Sequence, residues 1–340
     1  IEFGDTRKLD LYAKLQNEID QPINYPPDIA KIKELADQGD SDSMIELANI
    51  LIQGELVERD CNESHKYLFA AAEQGNAEAY FILGCFSEQG VGFEIDRKKG
   101  IEYYKKAAEQ GHTKSLHYLG LRLMYGDEDI RNVHDALIYM KTAADKGCVR
   151  SMCEYGNMLF SNIEGVEKDY VHAKDYYKKS ADGGDIDGMF MYSKCAANGF
   201  GFDEPNPEEA KKYMKMTADT GDVKYMRLYA ELCETGFKFK SDKAEALKYY
   251  KILADEGDDD AMFKVGKILL HGDDGVPENK KEAIKYIQMA VQKDHIESIE
   301  LYSEMFRKGD GVPIDEESAE FYANKANTLK DPDVTTCCIC

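Results

Sequence analysis

Small and large apolar residues return along this chain at helical spacing, inside a longer period of 36 or 37 residues. The pattern Ala-x-x-Gly closes a helix at Gly39, Gly75, Gly111, Gly147, Gly184, Gly221 and Gly257, and Asp294 and Lys330 hold the same place in the last two steps. Eight residues before each mark from Gly75 onward stands a tyrosine, from Tyr67 and Tyr103 through Tyr139, Tyr176, Tyr213, Tyr249 and Tyr286 to Tyr322. Three residues before each tyrosine comes a small residue: Ser64, Gly100, then Ala136, Ala173, Ala210, Ala246, Ala283 and Ala319. Small, Tyr and Ala at i, i+3 and i+8 trace one apolar face of a helix whose other positions are Lys, Glu and Asp.

After each closing mark a second helical pattern begins, with a large apolar residue, another three later, and then a small one. It runs from Met44-Leu47-Ala48 and Tyr80-Leu83-Gly84 to Met262-Val265-Gly266 and Ile299-Tyr302-Ser303. The small residue admits a crossing helix and the large ones fill its groove. These first helices are predicted to stop on left-handed residues at Gly54, Gly90, Gly126, Gly199, Gly236, Gly272 and Gly309, with Asn162 in the remaining repeat. Turn segments such as Gly309-Asp-Gly-Val-Pro313 lead into the second helix, and no strand-like alternation is present.

A helix pair of this kind has an apolar face that only a neighbouring pair can bury. The fold class predicted is all-α, a right-handed α-solenoid (superhelix) of about eight tandem 36–37-residue helix-turn-helix repeats. The organisation predicted is capping helices over 1–39, repeats over 40–75, 76–111, 112–147, 148–184, 185–221, 222–257, 258–294 and 295–330, and a flexible Cys-rich tail over 331–340.

Charge changes the functional picture more than the fold. With 43 Lys and Arg against 65 Asp and Glu the net charge is −22, so nucleic acid is excluded as a partner and bare anionic membrane is disfavoured. No apolar run is long enough to cross a bilayer and no signal-like segment opens the chain. The nine cysteines are odd in number and lack metal-site spacing, which reads as reduced thiols in a cytoplasmic setting. Neither a His-Glu-x-x-His, a catalytic constellation nor a phosphate-cradling glycine loop is found, so the expectation is no enzyme, no metal and no cofactor.

The stretches Ala77-Glu-Ala-Tyr-Phe-Ile-Leu-Gly84 and Tyr103-Tyr-Lys-Lys-Ala-Ala-Glu-Gln-Gly111 resemble the Sel-one-like repeat (SLR) family of the tetratricopeptide-like superfamily, and the resemblance covers residues 27–330. It implies an adaptor that assembles other proteins and brings no catalytic residues with it. The paired cysteines that tie each repeat in secreted bacterial members are missing here. The function implied is a non-catalytic scaffold binding partner peptides on the concave face of the solenoid. The alternative is an accessory or regulatory repeat region of a larger protein with an enzymatic domain upstream.

If the superhelix curves as in those relatives, the first helices line the concave side. The strip expected to meet a partner peptide is His117, Leu121, Asn157, Phe190, Lys194, Arg227 and Glu231. At the other end, Cys337, Cys338 and Cys340 resemble a prenylation box or a doubly prenylated Cys-x-Cys end, the one route by which this chain would reach a membrane.

Overall fold

The computed structural model describes residues 29–330 except 93, 237, 239 and 274. The predicted tail over 331–340, and the part of the predicted cap before residue 29, lie outside the described residues. The helices are Ile29–Asp37 (α1), Ser41–Gln53 (α2), Cys61–Glu73 (α3), Ala77–Gln89 (α4), Arg97–Glu109 (α5), Thr113–Tyr125 (α6), Val133–Asp145 (α7), Val149–Phe160 (α8) and Tyr170–Asp182 (α9). They continue as Ile186–Asn198 (α10), Pro207–Ala218 (α11), Val223–Thr235 (α12), Lys243–Asp255 (α13), Asp259–His271 (α14), Lys280–Gln292 (α15), Ile296–Lys308 (α16) and Glu316–Lys330 (α17). Among the described residues the only β feature is an isolated bridge between Asp273 and Val276.

Compactness divides the chain into two units, 1–148 and 149–340. Each is an all-α solenoid in which the even-numbered first helix of a repeat packs on the second helix that follows, and that second helix packs on the next first helix. Ala48, Ala136, Ala173, Ala246 and Ala283 are fully buried, as are Leu83 and Leu119, so the small and large marks do meet in the helix crossings. In the second unit the apolar cluster is continuous from Met214 to Ala326.

Capping sets the boundaries. Each second helix from α3 to α15 begins on Asp or Asn, such as Asp60, Asn132 and Asp242, whose side chain accepts a backbone N–H of the first turn. Two first helices use histidine for this task. Nδ1 of His112 accepts from the Ser115 N–H (3.3 Å) and Nδ1 of His295 from that of Ser298 (3.2 Å). Their Nε2 atoms lie 2.8 Å from Glu78 and 3.0 Å from Asp260, so the tautomer that satisfies both nitrogens carries its proton on Nε2.

The closing marks need left-handed backbone. Gly75 has φ +86° and Gly257 +98°, and Asp294, which replaces the glycine in its repeat, still adopts φ +59°. Two first-helix ends depart from expectation. Gly126 is extended, with φ −70° and ψ 177°, because the turn after it continues through Asp127, whose carbonyl accepts from Ile130 and Arg131. In the repeat that lacks a glycine the helix already ends at Phe160, before Asn162.

Three of the in-phase tyrosines link one second helix to the next. Tyr67 donates to Asp37 (2.6 Å), Tyr213 to Asp182 (3.1 Å) and Tyr249 to Asp219, over 30 or 31 residues of sequence. Burial, and then the Asp37 carboxylate, push the Tyr67 hydroxyl up to about 12, and burial raises Tyr249 in the same direction. A hydroxyl raised in the folded state contributes fully below the unfolded value near 10 and loses its contribution as pH rises through its folded value. The helical circular dichroism signal is therefore expected to hold to about pH 10 and to fall steeply between about pH 10 and 12. A signal flat across that window contradicts the ladder.

Candidate functional site

The structure treats the expected strip unevenly. His117 and Leu121, both on α6, are buried at 8% and 4% exposure, which corrects the expectation that they face a partner. The reason is that α6 packs against both α5 and α7, which leaves little of either side chain to solvent. Phe81 holds on α4 the place that His117 holds on α6, and it too is enclosed, 5.3 Å from the His112 ring and 5.8 Å from Tyr104.

In the second unit the strip residues fall into two groups. Asn157 is half-buried and its Oδ1 accepts the Tyr177 hydroxyl at 2.9 Å. Arg227 is committed to the following repeat, pairing with Asp258 and, at 3.5 Å, with Asp260. Phe190 is half-buried with its ring 5.2 Å from Tyr225, and the exposed Lys194 holds its ammonium 5.4 Å from the Phe190 ring centre. Glu231 is exposed on α12. The accessible remainder of the strip is thus Phe190 and Lys194 on α10 and Glu231 on α12, one aromatic ring and one charge of each sign. Cys337, Cys338 and Cys340 lie outside the described residues.

A polar feature escaped the sequence reading. Where the in-phase tyrosine is followed by a second tyrosine, that second ring is buried and the first helix supplies its acceptor: Glu88 for Tyr104 (3.1 Å), Asn157 for Tyr177 and Glu234 for Tyr250 (2.8 Å). A buried hydroxyl without such a partner is costly. The Tyr-Tyr dipeptides at 103–104, 176–177 and 249–250 were the available signal.

Other chemistry-bearing side chains have structural work. Cys85, Cys153, Cys195 and Cys233 are free and buried, and burial pushes the Cys85 and Cys195 thiols up to about 12. A thiol held protonated packs as a small hydrophobe rather than acting as a nucleophile. Asp258, Asp259 and Asp260 bring their carboxylates within 4.8 Å of one another, but Arg227 and His295 already pair with members of the group. Among the described residues no helix is long and apolar enough to cross a membrane.

Two solved structures share the fold. A protective antigen of uropathogenic Escherichia coli with an SLR fold superposes with a TM-score of 0.71 at 23% identity, covering 90% of this chain. The chain spans 65% of that antigen's length. A Sel1 repeat protein from Oxalobacter formigenes gives 0.59 at 24% identity, covering 89% of this chain and 88% of its own. At these identities the likeness is one of fold. No curated protein matches the chain significantly. The Sel1 repeat pattern matches 41–76, 77–112, 113–148, 149–185, 186–222, 223–258, 259–295 and 296–331, eight copies without a gap, and the chain therefore belongs to the Sel1 repeat family.

Proposed function

We propose that this chain is a non-catalytic adaptor that holds a segment of a partner protein against the first helices of residues 149–330. Sel1 repeats generally mediate protein–protein contacts and are generally non-catalytic, which supports the class. The observation that carries the site is the division of labour within the strip: Asn157 and Arg227 spend their polar groups on other helices of the fold, whereas Phe190, Lys194 and Glu231 keep accessible surface. An aromatic ring with an ammonium group beside it suits a peptide that offers an apolar anchor and a carboxylate. Four buried free cysteines support a reducing, cytoplasmic setting. Prenylation at Cys337, Cys338 or Cys340 belongs to the same proposal as the route to a membrane.

The test is affinity capture from the source cell with the intact chain and with a Phe190→Glu, Lys194→Glu variant of equal helicity. Loss of two interface contacts is expected to weaken a genuine partner at least about tenfold. Identical partner sets at equal yield overturn the assignment.

A further inference from the structure

The first-helix strip of the second unit continues past Glu231. Phe263 and Lys267 on α14 stand where Phe190 and Lys194 stand on α10, two repeats on. The local build is also the same. Phe263 is half-buried with its ring 5.2 Å from His295, the residue that caps α16, just as the Phe190 ring lies 5.2 Å from Tyr225 in the first turn of α12. Lys267 is exposed with its ammonium 5.9 Å from the Phe263 ring centre, against 5.4 Å for Lys194 over Phe190. A ring face steers an ammonium group without cancelling its charge. The neighbouring carboxylate of Glu234 is already taken by Lys264 (2.9 Å) and the Tyr250 hydroxyl (2.8 Å).

The flanking rungs bound this pattern. Between the two pairs, α12 presents the exposed Glu231, while its Arg227 is held by Asp258 and Asp260. Beyond α14, the same two places on α16 hold Glu300 and Glu304, which pair with Lys330 and Lys308. Before α10 they hold Cys153, which is buried, and Asn157, which accepts from Tyr177. In the first unit Phe81 has the same place as Phe263, but it is buried, and the equally buried Cys85 replaces the lysine. From α10 to α14 the strip therefore reads positive, negative, positive, with an aromatic ring beside each positive charge.

We infer, resting on the adaptor function proposed above, that Phe263 and Lys267 belong to the partner site, and that its occupant is an extended segment with two apolar residues, each beside an Asp or Glu, and a Lys or Arg midway. Charge complementarity sets the order of signs. Helix packing sets the spacing. Adjacent first helices, which touch through pairs such as Phe190 and Tyr225, lie about 10 Å apart, and a polyproline II segment advances about 9 Å in each three-residue turn. One turn of the occupant thus matches one rung, which puts its residues i, i+3 and i+6 on one face, over α10, α12 and α14 in order.

The probe is a fluorescein-labelled synthetic peptide with two Leu-Asp pairs about six residues apart, lysine midway, and proline and serine elsewhere, titrated with the full chain by anisotropy. Lys194→Glu with Lys267→Glu, both at exposed positions, is expected to weaken binding at least about tenfold, and Lys267→Glu by itself about threefold. Glu231→Lys is expected to weaken it about fivefold and to recover when the peptide's lysine is replaced by glutamate, a rescue that a folding defect does not produce. An intact chain that ignores the peptide overturns the inference, as does equal affinity for the intact and Lys267→Glu forms. A concentration-dependent dimer of the chain that Phe263→Gln dissolves also overturns it, in favour of a second copy as occupant. In lysate capture, a Phe263→Gln, Lys267→Glu variant of equal helicity is expected to lose the partners that the Phe190→Glu, Lys194→Glu variant loses. If it keeps them, this inference falls and the adaptor site stands; if both variants keep every partner, both fall.

Discussion

Replacing Glu88 by alanine is expected to destabilise the first unit by about 3–5 kcal/mol, more than any surface charge change in the chain. Glu88 is 4% exposed, near the end of α4, and both its oxygens are occupied. Arg122 Nε donates to Oε1 at 2.5 Å, Arg122 Nη2 to Oε2 at 2.8 Å, and the Tyr104 hydroxyl to Oε2 at 3.1 Å. One carboxylate thereby ties α4, α5 and α6 together. Removing it leaves a largely buried guanidinium without its counter-charge, which costs far more than the pair gains when intact. Chemical denaturation of Glu88→Ala should show this loss, and Glu88→Leu with Arg122→Met should recover much of it. A single variant within about 0.5 kcal/mol of the parent contradicts the argument.

Gly84→Val is expected to cost about 2–3 kcal/mol although it removes a glycine from a helix interior. A Cβ at Gly84 meets Tyr104 Cε1 at 2.5 Å and the Gly100 carbonyl at 3.1 Å. The Tyr104 ring is fully buried and anchored through its hydroxyl to Glu88, so it has nowhere to retreat. The helix propensity regained, less than about 1 kcal/mol, is smaller than the overpacking. Gly266 in the second unit faces Ile287 Cγ1 at 2.4 Å and is expected to respond with the same sign. Thermal unfolding of Gly84→Val reports this directly, and a raised midpoint would show that the crossing is looser than described.

These two sites show what could be read from residue order and what could not. The small-residue positions were legible as close crossings, and Gly100 was legible as one of them. Why it is glycine where later repeats have alanine was not: its Cβ would stand 2.7 Å from Glu88 Cγ. Helical periodicity states which residues share a face, but it does not state which of them the next repeat consumes. Arg227 and Asp258 are 31 residues apart and unremarkable in isolation, yet their pairing removes the arginine from the strip. The same blindness placed Leu121 on a binding surface, because an apolar residue on an inter-repeat face and one on an exposed face carry the same letter. The Asp and Asn caps of the second helices were on the page as letters, and only the accepted N–H bonds showed their regularity.

A Sel1 array offers each helix two duties, packing on its neighbour and meeting a partner, and the accessible residues are those the first duty leaves over. Within the expected strip on the first helices of residues 149–330, that remainder is Phe190, Lys194 and Glu231. The measurement that bears most directly on the adaptor reading is photo-crosslinking from positions 194 and 231, each replaced in turn by a photoreactive residue in the full chain with its captured partner bound. Crosslinks from both positions to one contiguous segment of the partner are the predicted result. A partner that stays bound while both positions remain silent contradicts it.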